Sequence, residues 1–434
     1  MVQTRSMVRK SGEALCEEFV PRRRRTEKTE VIKVDAETAL QDAIDVVFKY
    51  LNMRDLHAAS QVCSSWKVAA SRAVGNRNLI EQMLIPHDVE DHVNSNSAFH
   101  VSMDLRVRPG VALLFVASRL IQEFHFGHSD GFLPPVYQME WAPSAPPTHH
   151  LENCFMAPLF NVYKHQFPEN LIGIEVTEYS VDKYVTIPRQ LGQHVTLENA
   201  GSRNYLGIFL PKEKDMIVRV AWCENFVNDV NGVADNISDQ LIIDELPENY
   251  GSALLVFAQS LAGYFLAEKV ILDLTRKTSG RNKHTWGGLF GNELGATKCQ
   301  EIDLSINKKK IFAGLRIASP GLQTWMTVID CLDKRDKVAQ KLKEFRQQVQ
   351  RKKNTIGLVY GPKFIRVFDQ NNIHLFYDGQ EVMTAIKSVF TDISITGFLN
   401  HDSRILISPD TIDEELNQKM NRNKFMTLIV IAYN

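Results

Sequence analysis

The chain has 434 residues and a formal net charge of -1, with 44% hydrophobic and 23% charged residues. That length favours two or three domains with ample chain for a large core, and the composition excludes disordered, collagenous and disulfide-rich classes. Near-neutral charge argues against a protein whose main work is coating nucleic acid.

The N-terminal stretch MVQTRSMVRKSGEAL has no apolar h-region, so no secretory signal is expected. Residues 1–34 are polar and read as a disordered tail; within it Arg22 to Arg25 suits either a solvated face or a nuclear-import signal. Cys16, Cys63, Cys154, Cys223, Cys299 and Cys331 form no C-x-x-C pair, which weakens zinc-ribbon, thioredoxin-type and disulfide readings and favours reduced thiols in the cytosol or nucleus.

Residues 35–83 carry a helical pattern. Leu40, Ile44, Val47, Phe48 and Leu51 recur at helical spacing, and Leu56, Ala59, Cys63, Trp66 and Ala70 form a second stripe. Between the stripes, Asn52 is expected to end one helix and Asp55 to cap the next. So small a helical unit makes a marginal core, and its spare apolar surface calls for a partner. The stripes face either that partner or the rest of the chain.

Residues 84–109 read as a linker. From Val111 onward three segments share one grammar of strand, helix and glycine-bearing strand. The first runs from Val111–Ala117 through an amphipathic stretch, Phe155 to Phe167, to Leu171–Ile174; the second from Ala253–Ala258 through Ala262–Leu274 to Trp286–Phe290. The third runs from Thr355–Tyr360 through Glu381–Phe390 to Ile393–Phe398. The pattern predicts right-handed βαβ crossovers and a partly parallel sheet, hence a duplicated α/β body. Strands are also expected at Tyr184–Leu197, Tyr205–Leu210, Met216–Trp222, Ile311–Ile317, Thr324–Ile329 and Phe425–Tyr433. The longest apolar run, Gly251 to Ala267, is shorter than the roughly 18 to 20 residues of a spanning helix and is better explained as a buried strand followed by a helix.

Candidate chemistry is sparse. The glycine-rich run Gly287 to Gly295 matches no nucleotide-binding fingerprint. It suits either an ordinary turn or a close approach to a ligand or substrate, with Gly288 and Asn292 as the candidate contacts. His125, His128 and Asp130 have metal-compatible spacing but no cysteine beside them, and His149-His150 reads as surface, so no metal or cofactor is expected. Cys63 reads as a small core residue. The cationic stretch from Lys334 to Lys353 is expected to form a surface helix resting on Val338, Leu342, Phe345 and Val349, and Lys308–Lys310 a charged turn.

The stretch AIDVVFKYLNMRDLHAASQVCSSWKVAASR resembles an F-box through Val47-Phe48, Tyr50-Leu51, Asp55-Leu56, Val62-Cys63 and Trp66. It departs from that family in having Thr38-Ala39-Leu40 where a Leu-Pro opening is usual, and no aromatic between Asn76 and Ile80. The larger part is similar to the FIST domain of F-box and intracellular signal transduction proteins. Its marks are Phe167-Pro168, Ile172-Gly173-Ile174, Lys353 to Leu358, and Phe390 with Ile395-Thr396-Gly397-Phe398. The resemblance implies an α+β chain: a helical F-box at 35–83, then a mixed-sheet α/β FIST-like body in two parts, 110–300 and 301–434. It further implies a non-catalytic substrate receptor of a Skp–cullin–F-box ubiquitin ligase. Leu40, Phe48, Leu51, Leu56, Val62 and Trp66 would then bind the Skp-family adaptor or form the packing beneath it. The implied partners are that adaptor, a cullin, a protein substrate and, for the FIST-like body, a small ligand; neither membrane nor nucleic acid is expected. A sensor or scaffold acting outside a ligase is the alternative.

Overall fold

The computed structural model describes residues 36–75, 80–86, 105–106, 109–117, 170–176, 178–180, 204–211, 215–224, 229–243, 246–247, 249–278, 284–290, 294–298, 310–368, 374–400, 403–407 and 422–433. The basic tail, the histidines at 125, 128, 149 and 150, the amphipathic stretch 155–167, the strand expected at 184–197 and Asn292 lie outside them. Two units divide the chain, Met1–Ala43 and Ile44–Asn434.

Three helices come first: α1 (Ala36–Phe48), α2 (Met53–Ser60) and α3 (Ser64–Gly75). Strands then dominate, in three runs. The first comprises β1 (Glu81–Pro86), β2 (Pro109–Ala117), β3 (Asn170–Val176), β4 (Glu178–Ser180) and β5 (Asn204–Pro211). The second comprises β6 (Ile217–Cys223), α4 (Val230–Leu241), β7 (Tyr250–Ala258), α5 (Leu261–Lys277), β8 (Thr285–Leu289), β9 (Leu294–Lys298) and β10 (Phe312–Pro320). The third comprises β11 (Gln323–Asp330), α6 (Arg335–Gln348), β12 (Asn354–Pro362) and the hairpin β13 (Phe364–Phe368) and β14 (His374–Asp378). It continues through α7 (Gly379–Val389), β15 (Ser394–Asn400), β16 (Ile405–Leu406) and β17 (Phe425–Tyr433). The chain is therefore α+β with mixed sheets. No helix among the described residues is long and apolar enough to cross a membrane.

The three runs are one structural repeat. Each builds a five-stranded sheet in which a central strand pairs in parallel with the strand after the crossover and antiparallel with the last strand of its own run. The parallel pairs are β2 with β3, β7 with β8 and β12 with β15; the antiparallel partners are β5, β10 and β17. The first strand of each run, β1, β6 or β11, adds to the outside of that last strand. The fifth place is filled from another run. β9 of the second run closes the first sheet, β16 of the third closes the second, and β4 of the first closes the third. The three sheets thus exchange edge strands in a ring. The expectation of a duplicated α/β body with a partly parallel sheet is corrected to a triplicate of mixed sheets, because each of the three parallel pairs founds its own sheet.

Register fixes which residues correspond. Leu113 pairs with Ile172, Leu255 with Trp286 and Leu358 with Thr396. One step on, Leu114, Val256 and Val359 each face a glycine: Gly173, Gly287 and Gly397. The next step brings the aromatics Phe115, Phe257 and Tyr360 opposite Ile174, Gly288 and Phe398. The glycine-bearing strands noticed in the sequence are these equivalent positions.

Alternation along each strand sends side chains to two different cores. In β17, Phe425, Ile429, Ile431 and Tyr433 enter a core shared by all three sheets, whereas Met426, Leu428 and Val430 pack under α6 and α7. Both faces are buried, so the strand reads as a continuous apolar run. The shared core is aromatic where the repeats meet. Phe115 stacks on Phe398 at 3.8 Å, Phe115 meets Phe257 at 6.4 Å, and Phe290 meets Tyr360 at 4.4 Å. The other face of the second sheet is covered by α4 and α5.

Local chemistry sets the element ends. The run Gly251–Ala267 divides into β7 and α5 because Ser260 caps the helix, its hydroxyl accepting from the Gly263 amide at 3.2 Å. Asp229 and Asp378 cap α4 and α7 in the same way, accepting from the amides of Gly232 and Gln380. Lys277 Nζ ties the last turn of α5 to α4 by donating to Asp235 and Asp239, both at 2.6 Å, and these bonds raise its pKa. Lys310 is corrected from exposed turn to core. Its side chain is fully buried, and Nζ donates to Glu224 at 2.6 Å, so the charge is paired rather than solvated.

Candidate functional site

The three helices at the start of the described chain and the short connections between them hold the adaptor candidates. α2 begins at Asn52, whose side-chain oxygen accepts from the Asp55 amide at 2.8 Å. Asn52 is therefore the N-cap of α2 and Asp55 lies in its first turn, which moves the expected helix start three residues earlier. The acidic Asp55 is favourably placed there against the helix dipole.

Ile44, Phe48, Leu56, Ala59, Ala69, Ala70 and Ala73 form a core of their own, with Leu51, Met53, Trp66 and Val74 packed against it. The Phe48 and Trp66 rings meet edge to face at 5.4 Å, a geometry that adds about 1 kcal/mol beyond burial. Arg72 and Asp45 form an ion pair at 3.1 Å; both are partly exposed, so its contribution is small.

The six adaptor candidates separate by burial. Phe48 and Leu56 are each 2% exposed and serve the internal core, and Leu51 and Trp66 lean against that core, half-buried. Leu40 and Val62 are both 62% exposed. Four more lie outside the six candidates: Val46, Val47, Tyr50 and Val68 are 53%, 55%, 77% and 57% exposed, and of these only Val47 belonged to an apolar stripe in the sequence. Six of the ten large apolar side chains that are exposed among the described residues thus fall between residues 40 and 68. Single exposed apolar residues are ordinary, but this concentration on so short a stretch is not.

The second apolar stripe does not survive as a single helix face. Residues 61–63 break it between α2 and α3, and Cys63 there is exposed rather than a core residue. Cys223 and Cys331 are buried. Burial, with Asp330 adding to it, pushes the Cys331 thiol up to about 12, so it stays protonated and is no nucleophile.

Gly288 lies within strand β8, not in a loop after it. A Cβ there would collide with the Tyr360 ring and the Arg404 carbonyl, so the room left by the missing side chain is occupied by protein. Tyr360 donates its hydroxyl proton to the Leu289 carbonyl, which locks the ring over Gly288. Among the described residues no three His, Cys, Asp or Glu side chains gather as a metal site. Arg316 is a buried cation that donates to the Leu241 carbonyl at the end of α4 at 3.1 Å; burial lowers its pKa to about 10.

No family model and no curated protein matches the chain. Among solved structures, the chain is similar to cyanuric acid hydrolase from A. caulinodans at 9% identity, with a TM-score of 0.35, over 82% of this chain and 99% of that one.

Proposed function

We propose that the chain is the substrate-recognition subunit of a Skp–cullin–F-box ubiquitin ligase, with residues 35–83 as the adaptor-docking F-box and the repeat body as the substrate-carrying part. The observation that carries this reading is the set Val46, Val47, Tyr50, Val62 and Val68, left exposed on α1, α3 and the turns after α1 and α2, in a unit that already has a core of its own. Apolar side chains not needed for internal packing are what a helix-in-groove partner takes up, and an exposed aromatic such as Tyr50 is a suitable anchor. The chain itself performs no chemistry in this reading. It raises the effective concentration of substrate lysines near a conjugating enzyme carried by the cullin arm.

The test uses the full chain with purified Skp-family adaptor and cullin. Because Phe48, Leu56 and, in part, Trp66 support the helices themselves, the informative variant replaces exposed positions: Val47→Asp with Val62→Asp. Placing carboxylates in an apolar interface costs about 2 kcal/mol or more, so adaptor affinity should fall at least about thirtyfold with the helices intact. Undiminished capture of adaptor by the double variant, or no capture by the native chain, would sink the assignment.

A further inference from the structure

The third repeat carries a groove that the adaptor reading does not use. α6 and α7 lie side by side on the outer face of the third sheet and leave between them an open cleft of about 630 Å³. Its charged lining is of one sign: Arg335, Lys343 and Arg346 from α6, and no carboxylate. These positions follow at helical spacing beside Val338, Leu342 and Phe345, which anchor α6 to the sheet, so the cationic row and the buried row are neighbouring faces of one helix. Between residues 334 and 353 there are nine cations and only two acids, in a chain whose net charge is -1. The local excess is therefore a feature of this segment rather than of the protein, and three of its nine cations line the cleft.

Arg346 is held in place: Nη2 bonds Asp392 at 2.7 Å, and its guanidinium lies 5.8 Å from the centre of the Phe390 ring. Asp392 is not part of the lining. Arg335 and Lys343 are exposed. They are eight residues apart on α6, about 12 Å along its axis. The floor between them is small and apolar, made by Ala339, Ala385 and Val389. On α7, Thr384 and Ser388 already donate to carbonyls of their own helix, and Arg346 is engaged by Asp392, leaving Arg335, Lys343 and the Gln347 amide as the donors that face a ligand.

From this arrangement we infer that the α6–α7 groove binds an acidic linear segment of a partner protein, its carboxylates meeting Arg335 and Lys343 while its aliphatic atoms cover the alanine and valine floor. In an extended peptide, residues four apart are about 13 Å from one another and point the same way, which matches the separation of the two cations. No aromatic side chain lines the groove, so it offers no platform for stacking bases, and a peptide suits it better than a nucleic acid. The inference stands apart from the adaptor reading, since binding here needs only the purified chain.

Fluorescence anisotropy of a labelled peptide of about eight residues, glutamate at every second position and alanine between, supplies the test. The full chain should bind it with an affinity that falls as salt rises, and the version with glutamine at those positions should bind at least about tenfold more weakly. Arg335→Glu with Lys343→Glu should weaken the acidic peptide by about tenfold or more; both residues are exposed, so the fold is retained. Lys337→Glu, on the same helix but outside the lining, should change it less than about threefold. Equal loss with Lys337→Glu, no loss with the double variant, or equal or tighter binding of a labelled oligouridylate would each overturn the inference.

Discussion

A glycine and a tyrosine 72 positions apart share one volume in the shared core, and the glycine is the more exacting of the two. Tyr360 is fully buried, and its ring fills the space where a side chain on Gly288 would stand. The preceding Gly287 has φ of 153°, a conformation that other residues rarely adopt, and a Cβ there would meet the Val256 carbonyl. Gly288→Ala should therefore destabilise the fold by roughly 1–3 kcal/mol through overpacking, read as a lower urea midpoint with unchanged m-value. Combined with Tyr360→Leu, which vacates that volume, Gly288→Ala should cost less than it does alone; simple additivity would show that the two residues do not compete for space. The run Gly287 to Gly295 suited either an ordinary turn or a close approach in the sequence, and that a protein side chain rather than a ligand approaches Gly288 was not legible there. That side chain lies in another repeat.

The helices at residues 36–75 show why an apolar residue in a motif need not be a contact residue. Phe48 and Val47 are neighbours in sequence, yet one is 2% exposed and the other 55%. Helix geometry turns adjacent residues by about 100°, so a short three-helix core claims one and leaves the other. Phe48→Ala should remove about 3–5 kcal/mol from a cluster otherwise built largely of alanines. In hydrogen exchange, amides of residues 44–75 should then lose protection while those of β7, β12 and β17 keep theirs; undisturbed protection of the helices would contradict the packing role. Helix existence, the break near Asn52 and the apolar character of this stretch were all legible. The division into core and surface was not, because it depends on how three helices cross rather than on any one period.

At the scale of the molecule, the ring of exchanged strands makes the three repeats depend on one another. Ending the chain at residue 300, where the two parts of the body were expected to meet, would remove β10, the strand that joins β6 to β7. The expected boundary between residues 83 and 84 likewise falls inside β1, which belongs to the first sheet. With one edge strand of each sheet lent by another run and one core beneath all three, the body should unfold as one cooperative unit. Trp222 of the second sheet and Trp325 of the third, each observed in a variant keeping it as the sole tryptophan, should report the same urea midpoint. Separate midpoints would mean that the sheets are stable alone.

Elements whose signals are local could be read along the chain. β17 was legible from its end-to-end apolar run, α5 from the change of period after Ala258, α6 from four apolar residues at helical spacing, and the three-part grammar from strands carrying glycine at matching places. These follow from side-chain alternation and helix period, which act within a dozen residues. Long-range packing set which strands share a sheet, that β4, β9 and β16 cross to another repeat, that Lys310 is buried against Glu224, and that Arg335 and Lys343 line a groove with α7. All of these are pairings between residues tens to hundreds of positions apart, and their free energy comes from surfaces that exist only once the whole chain has closed on its core.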